Sequence, residues 1–200
     1  GVSARYYNPG DKVPANYQLL LTFKDESFLV FTVAMYGFIS AYPDAVIDNK
    51  YYTISRESIS PLSDAYTEAE FEKLFAFAKK TLTAKALLAT EQRIPGVGNG
   101  VTQDILFNAG IHPKQKVFDL SDGQKGVLFK SLKDTLMAMT SGRGRDTQTD
   151  LYGNEGGYKT ILSSKTWKNP CPRCGSVIVK EAYLGGSVYY CSECQKIRKT

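Results

Sequence analysis

The 200-residue sequence has a single histidine and no cysteine before position 171. No apolar run approaches the roughly 18 residues that span a bilayer, and no signal peptide opens the chain. No low-complexity tract occurs. With 42 % apolar and 22 % charged residues the composition also excludes wholesale disorder. These absences predict a folded, intracellular protein of one large or two small domains, without a membrane segment. The lone histidine, His112, stands in an Ile-His-Pro step and reads as a turn residue rather than an acid or base. A deaminase-type catalytic zinc is excluded as well, because it needs a His-x-Glu pair and none is present.

What is there is unevenly charged. Residues 1–78 hold six Lys/Arg against ten Asp/Glu, whereas residues 79–200 hold nineteen against ten. The net +5 therefore hides an acidic N-terminal part and a basic remainder. Surplus lysines are commonly a solvated surface; a polyanionic partner is the alternative.

Residues 1–60 read as β structure, with runs at Tyr17–Phe23 and Phe28–Val33 flanking a turn at 24–27 and a third run near Tyr36–Ala41. The FLVFTV run is apolar on both faces, which predicts burial on both sides. Three strands leave open edges, so this part looks like an incomplete sheet. Residues 60–140 read as helical. Thr67 and Glu70 make a capping box for a helix whose Phe71, Leu74, Phe75 and Ala78 form one stripe. A later helix starts near Ser121, with Val127, Leu128, Leu132, Leu136 and Met139 at helical spacing.

Between them lies the stretch Thr83–Pro113, read as two short helices around a tight turn. Thr83 caps the first, Ile94-Pro95-Gly96 ends it, Gly98-Asn99-Gly100 opens the second and Gly110 stops it. A glycine-rich turn feeding a helix N-terminus aims several backbone N–H groups at one spot, which suits a phosphate. A plain helical hairpin of the core explains the same residues. Residues 141–168 form a long Gly-rich loop with Arg143, Arg145, Tyr152, Tyr158 and Lys159. It is either a mobile linker or a nucleic-acid contact.

All four cysteines fall in two C-x-x-C pairs, Cys171/Cys174 and Cys191/Cys194, with sixteen residues between the pairs. Two thiolates from each knuckle can hold one Zn2+ tetrahedrally, and Gly175 permits the tight knuckle turn. Residues 176–190 alternate like a β-hairpin around Gly185-Gly186. Four cysteine ligands leave no position for water, so the zinc is expected to be structural. Arg173, Lys180, Lys196, Arg198 and Lys199 surround this finger, interleaved with Tyr183, Tyr189 and Tyr190.

The order of these features resembles the formamidopyrimidine-DNA glycosylase and endonuclease VIII family of base-excision repair enzymes. The matching residues are Lys85-Ala86-Leu87-Leu88, Pro95-Gly96-Val97-Gly98-Asn99, Ile105-Leu106-Phe107, Ala109-Gly110-Ile111-His112-Pro113 and the finger at 171–195. Ser60-Pro61-Leu62-Ser63-Asp64 resembles the family's inter-domain linker. The resemblance implies an α+β fold. Residues 1–60 would be a remnant of the N-terminal β-sandwich. Residues 61–168 would be a helical domain with a helix–two-turns–helix motif and a Gly-rich loop, and residues 169–200 a four-Cys zinc β-hairpin finger. It further implies a monomer on damaged double-stranded DNA, with dimerisation through the open sheet edge as the alternative. No small-molecule cofactor is expected. By resemblance Lys85 and Asn99 would contact phosphates flanking the lesion; with Gly98 of the turn, Arg145 and Tyr158 of the Gly-rich loop and Lys180 of the finger they make up the expected DNA-binding residues.

Three departures accompany the resemblance. Family enzymes use an N-terminal proline amine, followed by a glutamate, to form a Schiff base with the damaged sugar and eliminate the strand. Here the chain reads Gly1-Val2-Ser3, so no catalytic residue is assigned and the chain, read as an N-terminally truncated fragment, is expected to be inactive alone. The family's Pro-Arg-Arg-Phe-Gly segment, whose arginine fills the gap left by a flipped base, is replaced by Val33-Ala34-Met35-Tyr36-Gly37. The finger arginine that helps bind phosphate aligns with Gly186, leaving Lys180 as a substitute charge. The expected function is the DNA-binding portion of a glycosylase and abasic-site lyase acting on oxidised bases. The alternative is a non-catalytic binder of damaged or abasic DNA.

Overall fold

The computed structural model describes residues 1–34, 37–43, 46–76 and 78–198. The N-terminal part holds an antiparallel sheet of β1 (Val2–Tyr7), β2 (Leu19–Thr22) and β3 (Phe28–Val33) in the order β1-β3-β2. β2 and β3 form the expected hairpin. Its turn is closed by the Asp25 carboxylate, which accepts from the Ser27 amide at 3.1 Å and hydroxyl at 2.7 Å.

The third strand is not the one expected. Residues 37–41 form no strand, and Met35 and Tyr36 lie outside the described residues. β1 takes the place instead. It pairs with β3 from Val2↔Val33 to Tyr7↔Phe28, and the Tyr7 ring stacks on Phe28 at 4.9 Å. β3 is covered on one face only: Phe28 and Val30 are buried, Leu29 and Phe31 are half-buried and Thr32 is exposed. Nor is the N-terminal part wholly β. Asn49 Oδ1 accepts from the amides of Tyr51 and Tyr52 and so starts helix α1 (Lys50–Glu57).

Helix α2 (Glu68–Ala76) begins where the Thr67 hydroxyl accepts from the Glu70 amide, and its Phe71 is fully buried. Leu74, Phe75 and Ala78, the rest of the expected apolar stripe, pack against the same core as Phe71. Helix α3 (Ala84–Ala89) is capped by Thr83 as expected, but it ends before Ile94. Glu91 and Gln92 take positive φ, and Arg93 Nη1 donates to the carbonyls of Ala86 and Thr90. A side chain thus satisfies the last carbonyls that the Pro-Gly step was expected to release. Helix α4 (Asn99–Ala109) starts at Gly98 and stops at Gly110, whose φ is +65°. Helix α5 (Asp122–Ser141) carries a complete capping box between Ser121 and Gln124. On it Leu128, Leu132 and Met139 are buried, while Val127 faces solvent.

Leu87, Leu88, Ile105, Leu106, Leu128 and Leu132 meet in one core at 0–1 % exposure. Each contributes about 1.5–3 kcal/mol on burial. A second core joins Phe107 and Leu162 to Cys171, Ile178, Tyr189 and Cys191 of the finger. Helix α4 therefore serves both cores, and residues 102–107 are buried all round it.

The finger hairpin pairs β4 (Ile178–Tyr183) with β5 (Gly186–Cys191). Its turn is Leu184-Gly185, at φ +50° and +71°, rather than the expected Gly185-Gly186. Both turn residues need positive φ in such a two-residue loop. Gly186 is left in the strand, where an added Cβ would lie 3.2 Å from Asn99 Nδ2.

Candidate nucleic-acid interface

The candidate metal centre is built from short-range geometry. Gly175, at φ +77°, turns the first knuckle so that its amide donates to the Cys171 carbonyl at 2.8 Å. The second knuckle closes with the Gln195 amide on the Cys191 carbonyl at 2.9 Å. All four Sγ atoms then lie within 4.8 Å of one another. Cys171 and Cys194 stand 3.8 Å apart, and Cys174 and Cys191 stand 3.5 Å apart. A disulfide would bring sulfurs to about 2 Å. A tetrahedron with metal–sulfur bonds of about 2.3 Å has edges of about 3.8 Å. Hydrogen bonds from Ser176 bring the Cys174 thiol down to about 6, whereas burial and the neighbouring thiols push Cys191 and Cys194 up. The four cysteines fit one metal ion.

Three buried glutamines fasten this finger to the helical domain. Gln103 donates to the Ser187 carbonyl at 3.0 Å and accepts from the Tyr189 amide at 3.2 Å. Gln195 donates to the Ile111 carbonyl at 2.9 Å, and Gln115 exchanges two bonds with the backbone of Arg198. Lys199, the last of the expected basic residues, lies outside the described residues. His112 packs edge-on against Tyr190 at 4.2 Å, and its Nδ1 accepts from the Lys114 amide at 3.0 Å. Burial lowers its pKa, the Glu181 carboxylate opposes this, and the Lys114 ammonium lowers it further.

That arrangement carries a pH signature. The acceptor role of Nδ1 requires neutral imidazole, whereas the unfolded chain takes up its proton near pH 6.5. Below that value the unfolded state binds more protons than the folded state, so stability falls with pH, by up to about 1.4 kcal/mol per pH unit. Denaturant melts at pH 7 and pH 5 are expected to show a larger loss for the wild type than for His112→Asn, whose Oδ1 can accept the same amide bond. Equal losses would mean that His112 carries no such linkage.

The residues expected at a phosphate divide into two groups. Gly98 is the N-cap of α4 and Asn99 its first residue. Asn99 Nδ2 donates to the Ser187 carbonyl at 3.0 Å, which sets the amide against the hairpin. Lys85 is 2 % exposed. Its ammonium donates to the Tyr183 carbonyl, lies 5.6 Å from the Tyr183 ring centre, and has its pKa lowered by burial. The turn at Leu184-Gly185 carries that carbonyl over the first turn of α3, so Lys85 is directed at the hairpin and not at solvent. Lys180 is exposed and sits 5.1 Å from the Trp167 ring centre.

Arg145 and Tyr158 are brought to the same place as Asn99 by a residue that sequence reasoning missed. Asp104, fully buried on α4, accepts from the amides of Ile161 at 3.0 Å and Leu162 at 2.8 Å. Burial raises the pKa of its carboxyl; bonds from Ile161, Leu162 and Tyr158 and the charge of Arg145 hold it back. The long Gly-rich loop expected over 141–168 begins after Ser141, the last residue of α5, and its remainder, 142–168, is thereby pinned to α4. It is closed further by the Arg145↔Tyr158 and Thr149↔Glu155 bridges. It also carries the sheet, since the Tyr6 amide donates to the Leu151 carbonyl at 2.8 Å and Arg5 donates to Thr149 at 3.0 Å.

Asn99, Gly100, Arg145, Thr147, Ser163, Gly186 and Ser187 border a cleft of about 330 Å³ between α4, the hairpin and this segment. Among the described residues the cleft lining contains one cation, several amide and hydroxyl groups, the apolar Leu162 and Tyr189, and no carboxylate.

No family model matches the chain. It is 31 % identical over 139 residues to the formamidopyrimidine-DNA glycosylase of Carboxydothermus hydrogenoformans, covering 68 % of this chain and 52 % of that protein. To the enzyme of the same name from Shouchella clausii it is 26 % identical over 193 residues, covering 94 % and 69 %. The chain thus spans about half the length of the former relative and about two thirds of the latter. Among solved structures it resembles Lactococcus lactis Fpg in complex with DNA containing an abasic site, with a TM-score of 0.73 and 20 % identity. That match covers 98 % of this chain and 72 % of that one. MutM in complex with DNA containing carbocyclic 8-oxo-G gives a TM-score of 0.74 at 24 % identity, covering 98 % and 71 %. On these matches the chain belongs to the formamidopyrimidine-DNA glycosylase family.

Proposed function

We propose that this chain is the DNA-gripping portion of a base-excision repair glycosylase and abasic-site lyase that acts on oxidised bases. The observation that carries this reading is the carboxylate-free cleft where the first turn of α4, the finger hairpin and Arg145 converge. Gly98 and Asn99 hold one backbone phosphate there, and Arg145 adds charge. Lys85 acts by setting the hairpin, Tyr158 by setting Asp104 and Arg145, and Lys180 remains a peripheral charge. The metal is one zinc ion, and its four cysteine ligands make it structural. The partner is damaged double-stranded DNA, bound inside the cell by a monomer. No catalytic residue of this chain is assigned.

A second reading, a binder of damaged DNA that does not cut it, is favoured by one observation. Gly186 offers no side chain where the resemblance places a phosphate-binding arginine. A polypeptide carrying this chain that nicks a strand at an abasic site is the enzyme; one that binds without nicking is the binder.

The shared premise is tested by fluorescence anisotropy with a duplex containing an abasic-site analogue. Binding is expected to weaken steeply with salt, with a slope of roughly −0.9 per phosphate contacted. Asn99→Ala is expected to lose about tenfold in affinity on any sequence, with little change in slope because the amide is neutral. No detectable binding by the wild type at low salt would sink both readings.

A further inference from the structure

Asn99 is the one asparagine of the chain that precedes a glycine. Without a side chain on residue 100, nothing screens its backbone nitrogen from the Asn99 side-chain amide. The pair opens α4, where the Gly98 N-cap contributes no side-chain bond. The first N–H groups of a helix have no partner within it, so among the described residues the Gly100 N–H is uncommitted. Asp122-Gly123 holds the same two positions in α5, but there Ser121 and Gln124 close a capping box over the turn.

The first turn of α4 is held from outside, by the finger. Asn99 Nδ2 and Gln103 Nε2 both donate to the Ser187 carbonyl at 3.0 Å, while Asn99 as a residue is exposed. Helical backbone turns the Gly100 nitrogen away from Asn99 Cγ, and the bond to Ser187 fixes the side chain on the hairpin. The two atoms meet only when the turn opens locally and the hairpin bond is released.

We propose that Asn99-Gly100 is a self-modification site, a deamidation step restrained by the finger hairpin, and that the carboxylate it produces shuts the cleft to phosphate. The Gly100 nitrogen gives its proton to hydroxide and attacks Asn99 Cγ. A new Cγ–N bond forms, the Cγ–Nδ2 bond breaks, and Nδ2 leaves as ammonia with a proton taken from water. The five-membered imide then adds water at either carbonyl. Opening at Cγ leaves an aspartate; opening at the main-chain carbonyl leaves an isoaspartate, with the chain routed through the side chain. Either product puts a negative charge at the N-terminus of α4, which favours it. It also stands next to the Arg145 guanidinium that lies against Gly100. A lining without a carboxylate among the described residues thereby acquires one. The loss of affinity for DNA rests on the DNA-binding reading above; the chemistry does not.

The test is ageing of the full metal-loaded chain in mildly alkaline buffer, read by peptide mapping with mass spectrometry. Trypsin releases residues 94–114, which carry Asn99 and, as an internal reference, Asn108 before Ala109. Position 99 is expected to show the amide-to-acid mass gain about tenfold faster than Asn108. Gln103→Ala loosens the hairpin and is expected to speed position 99 about tenfold, with Asn108 unchanged. Gly98→Ser supplies the missing cap and is expected to slow it about twofold. In anisotropy with the abasic-analogue duplex, Asn99→Asp is expected to bind about tenfold more weakly than Asn99→Ala, because it adds a repelling charge. Aged wild type is expected to lose binding in proportion to the fraction converted. An amide still intact at position 99 once Asn108 has begun to convert would overturn the inference, whether or not the duplex binds. So would a rate at position 99 unchanged by Gln103→Ala or, if that variant melts early, unchanged by Gly98→Ser. Asn99→Asp binding as tightly as wild type would overturn the closing of the cleft. Failure of the fresh wild type to bind would overturn the DNA-binding reading alone.

Discussion

Cys174→Ser is expected to lose the metal altogether and to release residues 169–198 as an unfolded segment, with affinity for an abasic-analogue duplex falling by about a hundredfold or more. Structural zinc supplies about 10–16 kcal/mol of apparent binding free energy in small fingers. Its own apolar packing is small. Of the six buried residues in its core, Phe107 and Leu162 come from outside the finger and Cys171 and Cys191 are themselves metal ligands. Among the described residues Ile178, Val188 and Tyr189 are the buried apolar finger residues that do not bind metal. Native mass spectrometry is expected to show one zinc per wild-type chain and none in the variant. Hydrogen exchange should show protection lost over β4 and β5 but retained around Leu87, Leu128 and Leu132, which belong to the separate helical core. Full metal retention with unchanged protection would refute the assignment. Detachment also removes the acceptor of Asn99 and the tie of Lys85, so both sides of the cleft go together.

Asp104→Ala is expected to lower the melting temperature by about 10 °C without releasing zinc. The substitution leaves the buried amides of Ile161 and Leu162 without acceptors and takes from Arg145 a nearby buried counter-charge. Removing one member of such a buried set costs about 3–5 kcal/mol, and each kcal/mol moves the melting temperature of a chain this size by about 2–4 °C. Asp104→Asn keeps one oxygen for one of the two amides and is expected to fall between the two. Calorimetry measures the shift, and metal content separates it from a defect in the finger. An unchanged melting temperature in Asp104→Ala would mean that the 142–168 segment is held by other bonds.

The contrast between these two sites marks what the sequence discloses. The cysteines act through spacing along the chain, so their cluster is legible at once. Thr83, Ser121 and Gly110 are legible for the same reason, since caps are decided within a turn of their own helix. Asp104 and Gln103 are not. They sit between apolar Val101 and Ile105 on a helix whose polar side should face water, and only the docked finger and loop bury them. A helix with polar residues all along one face gives no sign of partners more than fifty positions away. Lys85 misleads for a related reason: its place in the motif is plain, but the Tyr183 carbonyl that captures it is 98 residues distant. β1 does alternate, Val2, Ala4 and Tyr6 against Ser3 and Arg5, but its six residues carry no turn signal toward β3, whose partner positions lie 21 to 31 residues on, and pairing with β3 places it in the sheet.

The three glutamine ties have a consequence for the order of assembly. They join positions 83 to 86 residues apart, as in Gln103 to Ser187 and Tyr189, Gln115 to Arg198 and Gln195 to Ile111. Closing a loop of that length costs about 4 kcal/mol in chain entropy, whereas each metal knuckle closes within four residues. Metal capture is thus a local event and docking a distant one. On a ribosome, α4 leaves the exit tunnel long before β5 does. Through that interval its buried glutamine and aspartate are solvated, and the cleft that is to hold a phosphate has only one wall. On the DNA-binding reading proposed above, a nascent chain gains its grip only once its finger has emerged, loaded and returned.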